Sequence, residues 1–273
     1  MLIPADTLYL DAGNSRLKWG IAQDGREGAA TSPWRAEGAL EWRELERSRA
    51  DGAGIQALLG ALAVSRLSRV LLASVTTSER EAALARLLSE RALPSFSRLT
   101  SEAAAAGVFN GYARPETLGI DRWCALIGAR AQSGAPALVV MAGTAITLDA
   151  LDAQGRFLGG FILPGLFMMR QALAAGAARL PLIPASEDNL PPDAFPADTG
   201  SAILYGALEA ASGAIERAFS RFSARLTRDQ GKAADAICFL SGGDAEALAS
   251  RLAPLPLYRA PRLVLEGMRC LAR

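Results

Sequence analysis

Residues 8–21 read LYLDAGNSRLKWGI, and this stretch decides the fold class. Leu8 to Asp11 is a short apolar run, Gly13-Asn14-Ser15 breaks it, and Leu17-Lys18-Trp19-Gly20-Ile21 resumes it. Two short strands about a Gly-Asn turn predict a β-hairpin. Gly13 lets backbone N–H groups approach a phosphate closely, because no side chain intervenes. Asn14 and Ser15 add neutral donors, and Lys18 adds a cation for phosphate oxygens. Asp11 offers hard carboxylate oxygen to a hydrated magnesium ion. The competing reading of this segment alone is an ordinary hairpin closed by an Asx-type turn.

The same grammar restarts about 130 residues downstream. Ala137 to Val140 reads as a buried strand, Gly143-Thr144 as a turn, and Ile146-Thr147-Leu148-Asp149 as a second strand with period-two alternation. Asp11-Ala12-Gly13-Asn14-Ser15 and Met141-Ala142-Gly143-Thr144-Ala145 thus share a layout, which predicts an internal duplication. Thr144 can donate its hydroxyl to a phosphate; its plainer reading is β-propensity. Val70 to Val75 reads as another buried strand, followed by a helix from Ser78 to Leu93 that Pro94 stops. Arg156 to Leu163 returns as a strand, and Pro164-Gly165 leads into a helix. Leu204, Leu208, Ala211, Ile215, Phe219, Phe222 and Leu226 recur at helical spacing, marking a long amphipathic helix from Thr199. Asp198 or Thr199 caps its start. Ile237 to Leu240 is a last buried strand, ending in Ser241-Gly242-Gly243-Asp244, a tight turn capped by Asp244 or a nucleoside cradle. The Pro- and Asp-rich stretch 181–198 reads as a surface loop. The boundary falls between Asn110 and Gly119, giving halves 1–118 and 119–273.

Composition narrows the chemistry. The 273 residues are 51% hydrophobic and 21% charged, enough for two substantial cores. The 29 basic residues nearly cancel the 28 acidic ones, so no net field steers the chain onto nucleic acid or anionic lipid. There is no histidine, which excludes a Ser-His-Asp triad and any His-ligated metal. Proton transfer therefore falls to Asp, Glu, Lys, Tyr or Cys. Cys124, Cys238 and Cys270 lack CxxC spacing and read as buried free thiols of a reducing compartment. No apolar run is long enough to cross a bilayer, and the N-terminal stretch lacks the pattern of a secretory signal. The expected location is the cytoplasm.

The segments DAGNSRLKWG, NGYARPETLGIDRW, AGTAITLD, GGFILPG, TGSAILYG and SGGD follow one another from about residue 8 to residue 244. In this order and spacing they closely resemble type III pantothenate kinase, a family of the acetate and sugar kinase/Hsp70/actin superfamily. The first turn alone suggests only the superfamily; the Tyr112-x₆-Gly119-x-Asp121-Arg122 element singles out the family. The resemblance implies an α/β fold of two ribonuclease-H-like (actin-like ATPase) domains with the active site in the cleft between them. It implies an ATP-dependent phosphotransferase with an alcohol acceptor: pantothenate becomes 4′-phosphopantothenate, the first step of coenzyme A biosynthesis.

Residue by residue, the resemblance assigns Asp11, Ala12, Gly13, Asn14, Ser15, Arg16, Leu17 and Lys18 to the ATP phosphate loop, and Thr144 to a further ATP contact. Tyr112, Gly119, Ile120, Asp121 and Arg122 contact pantothenate, as does Thr199 near a homodimer interface that the long helix could supply. The resemblance implies that Asp121 is the general base. Independently of the resemblance, a primary alcohol attacking a γ-phosphate must lose a proton, and without histidine a carboxylate is its natural recipient. Arg122 suits either the carboxylate end of the substrate or the positioning of Asp121. Alone, Asp121-Arg122 would also pass for an ordinary helix start.

One departure from the family pattern is plain. Met141 stands where an aspartate commonly ligates a monovalent cation, potassium or ammonium, so no metal is assigned there and that requirement is left open. Met141 is expected to pack into apolar surroundings. Ser15 replaces a more usual threonine and keeps the hydroxyl. Two rivals follow: a kinase of the same superfamily for another small hydroxyl or carboxylate substrate, and a nucleotide-binding regulator or transcription accessory protein.

Overall fold

In a computed structural model, residues 6–23, 33–46, 52–177, 180–184, 195–230 and 235–272 are described. The chain forms two compact units. The first is Met1–Ala106, Arg114–Gly128 and Val264–Arg273; the second is Gly107–Ala113 and Ala129–Leu263. This distribution differs from a single break after Leu118. The chain changes unit inside one helix and returns to the first unit at its C-terminal end.

The first unit is built on β1 (Asp6–Ala12), β2 (Arg16–Gln23) and β3 (Trp34–Glu41), followed by helices α1 (Trp42–Glu46) and α2 (Ala53–Ala63). Next come β4 (Leu67–Ser74), α3 (Ser78–Ser89) and β5 (Phe96–Arg98). The sheet order is β3-β2-β1-β4-β5, with β1, β2 and β3 antiparallel and β4 and β5 parallel to β1. Alternation places Leu8, Leu10, Leu17, Trp19 and Ile21 in one core with Leu58 and Leu84 of the helices. α3 ends four residues before the sequence pattern does. Ala92 takes a left-handed backbone (φ 52°) and turns the chain ahead of Pro94.

Two short strands, β6 (Ala104–Ala105) and β7 (Val108–Phe109), and a single 3₁₀ turn (Pro115–Thr117) lead into α4 (Ile120–Gln132). The second unit then repeats the plan: β8 (Ala137–Ala142), β9 (Ala145–Leu151), β10 (Phe157–Pro164), α5 (Leu166–Gly176), α6 (Thr199–Gln230), β11 (Ile237–Ser241), α7 (Ala245–Ala249) and β12 (Leu257–Arg259). Its sheet order, β10-β9-β8-β11-β12, is that of the first sheet strand for strand. The stripe Ala207, Ala211, Ile215, Ala218, Phe222 and Leu226 of α6 packs on Val140, Ile146, Leu148 and Leu240. Capping of α6 falls to Asp198, whose Oδ1 accepts the Ser201 N–H at 2.9 Å; Thr199 is the first helical residue and is exposed. Of the loop read over 181–198, residues 185–194 lie outside the described residues.

The last helix, α8 (Leu263–Leu271), packs on α4 in the first unit. A Cβ on Gly267 would lie 1.8 Å from the Cys124 carbonyl oxygen, so only glycine permits this approach. Among the described residues, no helix is long and apolar enough to cross a membrane. Cys124 and Cys238 are buried and Cys270 is half-buried, all three as free thiols.

Candidate active site

β1 and β2 pair so that Asp11 stands opposite Lys18 and Ala12 opposite Leu17. The four residues between them turn the chain, and the Gly13 N–H donates to the Arg16 carbonyl at 3.2 Å. Asn14, Ser15 and Arg16 are exposed at the tip, whereas Ala12 and Leu17 commit their side chains to the core. Those two can offer only backbone to a ligand. A Cβ on Gly13 would sit 3.3 Å from the Arg16 carbonyl oxygen, crowding the turn.

Asp11 is 7% exposed. Burial pushes its carboxyl up to about 6, the Lys18 charge opposes that rise, and the Asp121 charge adds to it. Asp121 lies in the first turn of α4, with Oδ1 accepting the Arg122 N–H at 2.9 Å. A Cβ on Gly119 would approach that Oδ1 to 2.7 Å, so glycine there leaves room for the carboxylate to fold back over the helix start. Burial raises the Asp121 pKa above the usual carboxylate value; the Arg122 N–H, the Arg122 charge and Lys18 partly counter it. Cys124, one turn further along α4, is fully enclosed, and its thiol is pushed well up by burial and then by Asp11 and Asp121. The structure therefore gathers Asp11, Lys18 and Asp121 into one electrostatic cluster, although the carboxylates are 110 residues apart in sequence. Arg122 is buried beside it.

Ile120, also in the first unit, is buried; Tyr112, Thr144 and Thr199 belong to the second unit. Tyr112 is half-buried and stacks on Phe157 (5.5 Å between centroids, 29° between planes), with its N–H on Asn110 Oδ1 at 3.0 Å. A cavity of about 410 Å³ lies beside that stack, lined in part by Phe109, Asn110, Arg156 and Phe157. Thr144 is exposed at the tip of the β8–β9 turn. That turn is held by backbone: Gly165 N–H donates to the Thr144 carbonyl and Asp244 N–H to the Ala142 carbonyl, each at 3.0 Å. A Cβ on Gly165 would lie 2.1 Å from the Gly143 carbonyl oxygen. One on Gly242, whose φ is +106°, would lie 2.0 Å from that of Ala142. Pro164-Gly165 and the turn 241–244 are thus buttresses of the Thr144 turn.

Met141 is half-buried on β8, a more open setting than the apolar packing expected from its sequence. Thr147 on β9 and Ser241 on β11 flank it in register, so all three side chains share one face. Both flanking residues are buried, and neither Thr147 Oγ1 nor Ser241 Oγ has a hydrogen-bond partner among the described residues. Sequence reading passed over Trp42 and Arg80, whose side chains reach the first turn from 29 and 66 residues away. No local pattern signals such contacts.

The sequence profile of the type III pantothenate kinase family matches residues 7–221. Proteins named type III pantothenate kinase from Dechloromonas aromatica and Azoarcus sp. are each 40% identical to this chain. They align over 96% and 97% of it, and over 97% and 90% of their own lengths. Among solved structures, a Baf family protein from Campylobacter jejuni shares the fold at a TM-score of 0.54 and 21% identity, over 96% of this chain and 95% of that one. A 2-dehydro-3-deoxygalactonokinase-type protein from Sinorhizobium meliloti does so at 0.51 and 15%, over 98% of each. The architecture is the two-domain actin-like fold, and the chain belongs to the type III pantothenate kinase family.

Proposed function

We propose that this protein transfers the γ-phosphoryl group of ATP to the primary hydroxyl of pantothenate, giving 4′-phosphopantothenate and ADP, the first committed step towards coenzyme A. The observation that carries the assignment of roles is the cluster of Asp11, Lys18 and Asp121 at the N-terminal hairpin, in a chain without histidine. Phosphoryl transfer asks for alignment and charge neutralisation more than for covalent chemistry. The turn 13–16 and Lys18 hold the phosphates, and Thr144 is a further ATP contact. Asp121 takes the proton of the attacking hydroxyl; its raised pKa makes it a better base than an exposed carboxylate. Arg122, Tyr112 and Thr199 hold pantothenate.

Asp11 fits a divalent cation. Its buried carboxyl is poorly stabilised as an anion, and a cation would relieve that. Among the described residues no group of three acidic or thiol side chains surrounds such an ion, so magnesium there would keep water and phosphate oxygens as ligands. Bound magnesium supplies neutralisation of the β/γ oxygens. A monovalent cation at Met141 does not fit the donor set in the same way. The thioether is soft and uncharged, and its neighbours in register, Thr147 and Ser241, offer neutral hydroxyls only.

The working form is a homodimer. The apolar stripe of α6 is used inside the second unit, while Phe161 of β10, on the sheet face that α6 covers, and Phe167, Met168 and Leu173 of α5 stay exposed, with Phe161 at 48%. Such a patch suits a second copy of the chain. Three free thiols suit the cytoplasm. The test is ADP release by the purified protein with magnesium and ATP. Release that depends on pantothenate is expected. Equal release without it, or a stronger response to another small hydroxy acid, would overturn the assignment.

A further inference from the structure

The β1–β2 turn is fastened from one side by two side chains. Trp42, the first residue of α1 and 2% exposed, donates its Nε1–H to the Gly13 carbonyl at 2.8 Å. Arg80, in the first turn of α3, donates from Nη1 to the Asn14 carbonyl at 2.5 Å. The two are in contact, with the guanidinium 5.2 Å from the Trp42 ring centroid. Thr76 Oγ1, 3.4 Å from the same Nη1, lies at the base of α3. The fold brings these groups here because α3 follows β4, whose end pairs with Ala12, and Val75 N–H donates to the Ala12 carbonyl at 3.0 Å.

A trans peptide is planar, so its C=O and the next residue's N–H point in opposite directions. Among the described residues there is no cis peptide bond. Drawing the Gly13 carbonyl towards Trp42 therefore aims the Asn14 N–H away from it. Drawing the Asn14 carbonyl towards Arg80 likewise aims the Ser15 N–H away. Because Trp42 and Arg80 touch, both carbonyls are drawn to one side, and both N–H groups face the other. Successive N–H groups on one side form an anion-binding concavity. A rotated peptide would instead present a carbonyl oxygen to a phosphate and repel it.

We propose that Trp42 and Arg80 are positioning residues that set the polarity of the phosphate-binding turn by tying back the Gly13 and Asn14 carbonyls. The inference rests on the reading of this turn as the ATP phosphate site. It adds that the indole N–H and the guanidinium act through the backbone, Arg80 being engaged with a carbonyl and a ring and not with the nucleotide.

The experiment compares Trp42→Phe, Arg80→Met and Arg80→Lys with wild type in steady-state kinetics, with MgATP and pantothenate varied separately. Trp42→Phe keeps the buried ring and removes only the donor, so the core stays filled. For each of Trp42→Phe and Arg80→Met, KM for MgATP should rise about 3- to 10-fold, the worth of one hydrogen bond. KM for pantothenate should stay within twofold. Arg80→Lys should recover part of the loss, since an ammonium can still donate to Asn14. The double variant should lose less than the product of the singles, because both ties hold one turn. Unchanged KM for MgATP in both single variants would overturn the proposal. So would a silent Trp42→Phe beside a loss of a hundredfold or more in Arg80→Met, which would put Arg80 on the phosphate itself. If a variant's thermal midpoint falls, calorimetric MgATP binding at low temperature gives the same comparison. Failure of the underlying reading looks different: wild type would show no pantothenate-dependent turnover, or Asp11→Asn would leave MgATP binding intact.

Discussion

The two sheets run the same strand order, yet the hairpins at their centres end in different chemistry. In the first, Asp11 faces Lys18 one pair before the turn, and Ala73 of β4 lies on the other side. In the second, the same position holds Met141, with Thr147 opposite and Ser241 alongside. The first turn has four residues and is secured by side-chain donors; the second has three and is secured by backbone contacts that only glycine permits at Gly165 and Gly242. The two turns thus share one place in one strand plan, and the ionisable groups stand at only one of them. The charged hairpin presents a carboxylate and an ammonium group; the neutral one presents hydroxyls and backbone groups. The edges diverge too. β3 carries Arg35, Glu37 and Glu41, the usual protection of an edge strand, whereas β10 exposes Phe161 and Ile162.

The largest expected effect comes from the charged side. Asp121→Asn removes the proposed proton acceptor while keeping size and the acceptor for the Arg122 N–H. Turnover should fall by roughly 10²–10⁴ with little change in KM for MgATP. In the proposed role, Asp121 works only when ionised. Because burial raises its pKa, the acid limb of kcat should lie above the ordinary value of 3.8, with activity lost as pH falls through it. Near wild-type turnover in Asp121→Asn would dissolve the division of labour between the hairpins.

Asp11→Asn tests the same side through stability as well as activity. The shift from 3.8 to about 6 means that the ligand-free fold binds the Asp11 proton more tightly than the unfolded chain does. Ionised Asp11 is therefore destabilising, by about 3 kcal/mol once pH exceeds 6, and stability should decline as pH rises from about 4 to 6. Asn removes that dependence. The variant should melt higher than wild type at pH 7.5 without ligand, yet lose MgATP binding by calorimetry. A lower melting temperature with intact MgATP binding would reverse both inferences.

The contrast at the edges is tested by Phe161→Glu, which gives β10 the kind of charge β3 already has. Light scattering should show wild type as a dimer and the variant shifted towards monomer at micromolar concentration. A wild-type monomer would remove the reason offered for the exposed patch.

Much of this organisation is legible in the sequence, because hairpins, strands and the α6 stripe are written in local periodicity. The pairing of Gly13 with Gly143 already shows the duplication. What escapes is whatever depends on distant chain segments. Asp198 and Thr199 compete equally for the α6 cap until backbone geometry decides. The end of α3 at Ser89 is set by the left-handed Ala92, a conformation alanine does not advertise. The meeting of Asp11 with Asp121 follows from the motif only by resemblance, and its cause, burial of both beside Lys18, is tertiary. Trp42 and Arg80 carry no motif at all.

The smallest expected effect is the one that would make the two hairpins alike. Met141→Asp places a carboxylate at the position that Asp11 holds in the other hairpin, with the hydroxyls of Thr147 and Ser241 on either side. In wild type those hydroxyls are buried with no hydrogen-bond partner among the described residues, and position 141 itself carries no charge. Potassium prefers hard oxygen and gains little from a thioether, so wild type should be activated weakly by potassium or ammonium, about twofold or less. The variant should gain a saturable activation of several-fold, as the new carboxylate and the two hydroxyls give a cation three oxygen ligands. Without the cation, the added charge should lower the variant's stability, because a half-buried carboxylate beside neutral partners is poorly solvated. The measurement is initial rate against potassium concentration at constant ionic strength, held with a bulky inert cation. Wild type that is nearly silent without potassium and saturates sharply with it would show that other oxygens already complete the shell. The neutral hairpin would then be a metal site in its own right, and its contrast with the Asp11 hairpin would lie in which ion each holds.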